Sequence, residues 1–296
     1  MVLYARYHPL EVQGMTIARK RRGLQEVAAG VYAVVAEDIG SNSAFIVGDD
    51  EVAVIDTQVT PSHALGILKD VRRVTDKPLA YVINTHYHND HVTGNQYFSP
   101  PARLVGHANV RPRMLAGRES YTARMSESQP AYAAEFAGVR LTPPVICFDS
   151  RLTLHLEGRE IQLCYLGRAH TDGDCLIYLP AERVLVGGDI FFNRLFPAMH
   201  DGYSAEWLGV LDRCQEFDAQ AAVPGHGSVG DMADLGESRQ RLADIRQIVQ
   251  EHYEAGKSEA EAVAAVRGRG PFPNTPEARV SQAVRRVYQE LRGELG

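Results

Sequence analysis

The sequence predicts an α/β protein of the α+β kind, a mixed sheet system covered by helices. Two observations predict it. Short apolar runs rich in β-branched residues recur in two sets, one before residue 90 and one between residues 145 and 186. Stretches with helical patterning lie between and after them, and beyond Asp231 the chain is helical in pattern except over residues 268–276.

In chain order, residues 1–27 show no sustained period and are expected to be an irregular N-terminal segment. Strands are predicted at Val31–Ala36, Ala44–Val47 and Val52–Ile55, with Gly48-Asp49-Asp50-Glu51 as a hairpin turn. Pro61–Val74 is predicted helical, because Thr60 precedes a proline that suits the first turn. Leu79–Asn84 is apolar and β-branched, so it is expected to be a buried strand.

Residues 107–143 hold helix-compatible pieces in which Tyr121, Met125, Tyr132 and Phe136 stand among polar residues. These side chains are expected to pack the segment onto the body. The alternative is a substrate-facing lid, since long excursions are often functional. A second set of strands follows at Val145–Phe148, Leu152–His155, Ile161–Leu166, Cys175–Leu179 and Val184–Val186. Glu206–Phe217 is predicted helical and Ala221–Val223 a short strand. In the last stretch Ala283, Val284, Val287 and Leu291 have helical spacing and are expected to pack against the body or a second subunit.

Composition narrows the function classes. The chain has 296 residues, 45% of them hydrophobic, which suffices for a sizeable core, and a net charge of −6. That balance gives no support to nucleic-acid binding, which calls for a basic stripe. The basic run Arg19-Lys20-Arg21-Arg22 is short and is expected to be a solvated segment. No apolar run reaches the ~18 residues of a spanning helix, so no membrane partner is expected. No secretory signal is evident. The cysteines Cys147, Cys164, Cys175 and Cys214 are scattered and suit reduced thiols, so the cytoplasm is the expected compartment. The expected partner is a small-molecule substrate, and a homo-oligomer is compatible with the apolar C-terminal face.

The chemistry is concentrated in Thr85-His86-Tyr87-His88-Asn89-Asp90-His91. An H-x-H-x-D-H run packs three imidazoles and a carboxylate into six residues, enough to start two metal sites. If the chain stays extended beyond the strand, His86 and His88 share a face. Asn89 and Asp90 favour a turn that would carry Asp90 and His91 to a second position. His170, Asp189 in Gly187-Gly188-Asp189, and His226 in Pro224-Gly225-His226-Gly227 follow in order, each expected just after a strand. Neutral imidazole and carboxylate suit Zn²⁺, and also iron or manganese.

Asp56 in Val54-Ile55-Asp56-Thr57, the H-x-H-x-D-H run, His170, Asp189 and His226 make an ordered set that resembles the metallo-β-lactamase-fold superfamily of metallohydrolases over residues 28–235. The resemblance implies a four-layer αββα sandwich with the metals at one edge, and leaves residues 236–296 as a C-terminal helical extension packed on it. It also implies that His86, His88 and His170 hold one Zn²⁺, that Asp90, His91 and His226 hold a second, and that Asp189 bridges them. Asp90, His91 and Asp189 then bear most directly on catalysis. Asp56, Thr85 and Asp174 are expected to hydrogen-bond ligand imidazoles. His200, Asn193 and Arg194, in the stretch leaving Asp189, are candidates to line a substrate pocket.

Aspartate at 189 resembles the thioesterase, lactonase and nuclease branches, whereas zinc β-lactamases usually carry cysteine or serine there. The expected activity is therefore hydrolysis of a thioester, ester, lactone or lactam by a metal-bridging hydroxide. A mononuclear iron persulfide dioxygenase and a weak or promiscuous β-lactamase are the alternatives.

Overall fold

A computed structural model describes residues 23–36, 40–117, 119–272 and 274–295. Seven strands form the first sheet in chain order: β1 (Gly23–Ala28), β2 (Val31–Val35), β3 (Ser43–Val47), β4 (Val52–Ile55), β5 (Leu79–Ile83), β6 (Arg103–His107) and β7 (Ile146–Phe148). The first four pair antiparallel, and β4 to β7 run parallel. The second sheet has the order β12-β11-β10-β9-β8, from β8 (Arg151–Leu156), β9 (Arg159–Cys164), β10 (Leu176–Leu179), β11 (Val184–Phe192) and β12 (Ala221–His226). Its pairs are antiparallel except β11 with β12, which is parallel.

The period of two explains how these strands can be buried on both faces. Ala44 and Ile46 of β3 and Ala53 and Ile55 of β4 point between the sheets, where they meet Leu163, Ile177 and Val186 of the second sheet. Phe45, Val52 and Val54 point the other way, onto helix α1 (Pro61–Val74) through Ala64, Ile67 and Val71. The α1 start agrees with the sequence: the Thr60 side chain accepts from the His63 amide, and proline opens the first turn.

Short helices begin within the histidine-rich run: α2 (Asn89–Val92), α3 (Asn95–Phe98), α4 (Val110–Ala116), α5 (Tyr121–Ser128) and α6 (Ala133–Phe136). The outer face of the second sheet is covered by α7 (Ser204–Cys214), α8 (Met232–Glu254), α9 (Glu259–Arg269) and α10 (Glu277–Leu291). Two sheets with helices outside each make the expected four-layer αββα sandwich with a helical extension. Val280, Ala283, Val284 and Val287 of α10 are buried in one cluster with Phe196, Met199 and Trp207, so this face packs on the body.

Four expectations need correction. Residues 23–27, expected to be irregular, belong to β1, which gains backbone bonds by pairing with β2 despite its exposed side chains. Residues 1–22, including the basic run, lie outside the described residues. β11 continues six residues past Val186 and β12 three past Val223, so Asp189 and His226 lie within strands. Gly187-Gly188 reads as a strand end, but the register shifts there and pairing resumes beyond it. The chain does not stay extended after β5; it bends over residues 85–87 before α2.

In the 107–143 excursion Val110, Met114, Tyr121, Met125 and Phe136 form a buried cluster with Val59 and Val92, which is the packing role expected of the large side chains. Ile177→Ala, in the core between the sheets, is expected to cost about 2–5 kcal/mol of stability in urea unfolding. Val145→Ala, at a position 67% exposed, should stay within about 0.5 kcal/mol of the parent.

Candidate metal centre

The seven candidate donors come from four places in the fold: the bend after β5, α2, the loop between β9 and β10, and the adjacent strands β11 and β12. The structure brings them together at one edge of the two sheets. Ligand atoms of His86, His88 and His170 lie within 4.8 Å of one another, as do those of Asp90, His91 and His226, and those of His86, His91 and Asp189. The bend brings His86 and His88 to the same side, with ring centroids 4.7 Å apart. The α2 turn then carries Asp90 and His91 to the second position.

Asp189 sits between the groups. One carboxylate oxygen lies 3.1 Å from His91 Nε2, and the other lies 3.3 Å from His170 Nε2 and 3.5 Å from His226 Nε2. His226 Nε2 is also 3.1 Å from Asp90 Oδ2. Two glycines make this approach feasible. A Cβ on Gly225 would collide with Asp189 Oδ1, and one on Gly188, which has φ +50°, would meet the Thr85 side chain.

Hydrogen bonds fix the tautomers of four imidazoles. His91 Nδ1 donates to Asp56 Oδ2 at 2.7 Å. Thr85 gives its amide and its hydroxyl to the same carboxylate, at 2.8 and 2.7 Å. With its proton so placed, the Thr85 hydroxyl accepts from His86 Nδ1 at 3.0 Å. His170 Nδ1 donates to the Ala198 carbonyl at 2.8 Å, and His88 Nε2 donates to Asp201 Oδ2 at 2.9 Å. In the neutral form of each ring the opposite nitrogen, His86 Nε2, His88 Nδ1, His91 Nε2 or His170 Nε2, then carries a lone pair facing inward.

Those inward atoms fit a divalent cation. His86 Nε2, His91 Nε2 and Asp189 Oδ1 are buried and make no hydrogen bond. His88 Nδ1 and His170 Nε2 approach to 2.8 Å, so both point into the same volume. Nitrogen and carboxylate donors in this number suit zinc, iron or manganese.

Charge in the site is distributed to the same end. Burial, with help from neighbouring imidazoles, pushes His86 and His170 well below the usual histidine range, so both are neutral. Burial also disfavours charge on His91 and His226, but Asp189 and Asp90 outweigh it, raising His91 well above its usual value and His226 to about 9. Burial would raise Asp189, yet His226, His91 and His170 hold it well below the carboxylate range. Burial raises Asp56 against the pull of His91 and the Thr85 donors.

Asp56 also has φ 57°, a left-handed conformation that costs a non-glycine residue roughly 1–2 kcal/mol. It is retained where its carboxylate holds both Thr85 and His91.

The remaining candidates divide. Asp56 and Thr85 hold imidazoles as expected. Asp174 does not: its carboxylate takes the amide and hydroxyl of Thr171, both at 2.7 Å, and burial pushes it up to about 6. It braces the turn that presents His170, because its short side chain is committed three residues back. Asn193 is buried and donates to the Ser228 carbonyl, and Arg194 reaches Asp234, so both tie loops together. His200 lies at the site, stacked on His88 with centroids 4.7 Å apart and planes at 20°.

Two residues had no signal in the sequence. Asp201 is 113 positions from the His88 that it holds. Arg279, in the first turn of α10, is exposed, and its guanidinium makes no hydrogen bond or ion pair among the described residues. Partial desolvation lowers its pKa, and Asp189 and Asp90 are the charges that oppose the shift.

Ion uptake should release protons. With His226 raised to about 9, its imidazole is charged at neutral pH in the ion-free protein, and a cation must displace that proton. Metal affinity is therefore expected to fall as pH drops below 9, and proton release should fade above it. Calorimetry in buffers of different ionisation enthalpy counts the protons; no release at pH 7 would contradict this arrangement.

Similarity to known proteins agrees with the geometry. Residues 36–226, well over half of the chain, match the Metallo-beta-lactamase superfamily. The linear primary-alkylsulfatase of Pseudomonas sp. (strain ATCC 19151) is 23% identical over 82% of this chain and 53% of its own length. The type 2 metallo-beta-lactamase of Bacteroides fragilis is 23% identical over 73% of this chain and 78% of its own. Among solved structures, the stereoselective inverting sec-alkylsulfatase Pisa1 from Pseudomonas sp. shares the fold with a TM-score of 0.69 at 18% identity, covering 90% of this chain and 50% of that one. This chain thus spans about half the length of the alkylsulfatases that it matches. By its matched residues and its fold, the chain belongs to the metallo-beta-lactamase superfamily.

Proposed function

We propose that this chain is a dinuclear, zinc-dependent hydrolase of a small-molecule thioester, ester, lactone or lactam. The supporting observation is the donor set: seven side chains around one volume, with four imidazoles held in the tautomer that turns a lone pair inward. In this reading His86, His88 and His170 hold one ion, Asp90, His91 and His226 hold the other, and Asp189 reaches both. Two divalent ions held there would supply a water of lowered pKa and a Lewis acid for the group under attack.

The chain's own residues do the positioning. Asp56 and Thr85 keep His91 and His86 from rotating, and Asp189 and Asp90 offset the charge of the ions. The second donor group, Asp90, His91 and His226, supports a dinuclear hydrolase over a mononuclear iron persulfide dioxygenase. Aspartate at 189 weighs against a dedicated β-lactamase. Cytoplasmic work is part of the proposal, and rests on four free cysteines, three of them buried.

A sulfate ester is the second reading. Arg279 favours it, as a guanidinium that senses the charge of Asp189 and Asp90 and has no partner among the described residues suits an anionic group on the substrate. The alkylsulfatases favour it too, since their likeness reaches 82% of this chain in sequence and 90% in structure.

The test is one zinc-loaded preparation assayed on S-lactoylglutathione, a simple lactone, a chromogenic β-lactam and an alkyl sulfate, with metal content measured on the same sample. About two zinc ions per chain and kcat/KM above about 10⁴ M⁻¹s⁻¹ on one substrate would support the reading and name the class. One iron with oxygen consumption on a persulfide would sink it. His88→Ala and Asp90→Ala are expected to abolish turnover with the fold retained; near-parent rates in either would move the reaction centre elsewhere. On an anionic substrate Arg279→Ala should raise KM about tenfold or more, as a lost bond to a charged group does, with little change on a neutral lactone.

A further inference from the structure

His88 differs from the other three oriented imidazoles in presenting Nδ1 inward, so its Nε2 projects away from its own backbone. The acceptor there must come from elsewhere in the chain, and Asp201 supplies it at 2.9 Å. The neighbouring His200 ring covers one face of His88. Both residues lie in the irregular stretch between β11 and α7, which has no sheet or helix of its own to hold it.

Besides its bonds to the body at Asn193, Ala198 and Tyr203, that stretch is held by the C-terminal extension. Arg286 of α10 donates from Nε to the Gly202 carbonyl at 2.7 Å and from Nη2 to the Asp201 carbonyl at 3.0 Å. Its guanidinium also lies 5.1 Å from the Tyr203 ring centroid. One turn on, Glu290 accepts from the Ser204 amide at 2.8 Å, the Ser204 hydroxyl at 2.6 Å and the Ala205 amide at 3.0 Å. Between and around these contacts Val280, Ala283, Val284 and Val287 are buried with Phe196 and Met199 of the same stretch. One helix thus grips the segment by apolar burial and by Arg286, and Glu290 fixes the first turn of α7 where the segment ends.

We infer that α10 is an arm of the metal centre: Arg286 fixes the backbone of Asp201, and the Asp201 carboxylate fixes the ring of His88. Asp201 and Arg286 are positioning residues, and the inference rests on the proposed role of His88 as a ligand of the first ion. A carboxylate on the outer nitrogen sets ring orientation and raises ligand basicity, and its loss commonly costs 10–100-fold in metal affinity. The geometry therefore assigns the effect to one ion of the two. His91 keeps its own acceptor in Asp56, so the second ion should be indifferent.

The experiment uses the full chain loaded with Zn²⁺ alone and dialysed against graded chelator, with ions per chain counted at each step and thermal melting followed in parallel. Asp201→Ala is expected to lose one ion at chelator activities roughly 10–100-fold lower than the parent and to keep the other. Asp201→Asn, which retains an oxygen acceptor, should recover most of that loss. Arg286→Ala should release the same ion early, and Arg286→Lys should recover part of the difference. Parent-like affinity for both ions in Asp201→Ala or in Arg286→Ala would overturn the inference, even if melting falls, because the contacts would then serve only the fold. A parent chain that takes up no ion would overturn the metal reading and this inference with it.

Discussion

A carboxylate buried in protein is costly unless positive charge is brought to it, and Asp189, only 3% exposed, makes that demand of everything around it. His91, His170 and His226 converge on it because the two sheets end at the same edge. Gly225 leaves room beside it that no larger residue could share, and Gly188 leaves room for Thr85. Where there is no cation, protons on His91 and His226 supply the charge. The same demand explains the outer bonds from Asp56, Thr85, Asp201 and the Ala198 carbonyl. A buried imidazole with a free outer nitrogen could turn its proton inward and lose its value as a donor.

The two sheets meet this demand differently. The first delivers its donors through a break in regularity: β5 stops at Ile83, the chain bends, and four residues of helix present Asp90 and His91. The second delivers Asp189 and His226 from inside paired strands, with a register shift at Gly188 to turn the carboxylate inward. Loop and strand thus contribute to one constellation, and helices on both outer faces hold the pieces in place.

Much of this was legible in the sequence, for physical reasons. A strand buried on both faces leaves a continuous apolar run, so β3, β4 and β5 could be read directly. The donors were legible because H-x-H-x-D-H compresses chemistry that core packing never needs. What escaped notice lacked such compression. Gly187-Gly188 looks like an ending, because a bulge and a terminus share the same residues. Asp201, Arg279 and Arg286 carry no motif, and their relation to the site exists only after the chain has returned over some eighty residues or more. Asp174 was misassigned for the opposite reason, its local bond to Thr171 being invisible until the turn is formed.

The four-residue helix α2 has a consequence of its own. So short a helix has no stability in isolation, yet it carries two of the seven donors. Val92 on its inner side is held by Tyr121, Met125 and Phe136, and the Tyr121 hydroxyl bonds Thr93 just past its end. The 107–143 excursion is thus a foundation under Asp90 and His91. Its solvent-facing positions bear little on the centre, while volume lost at these three side chains would loosen the helix that presents two donors. Altered catalysis can therefore arise from substitutions that never face the substrate.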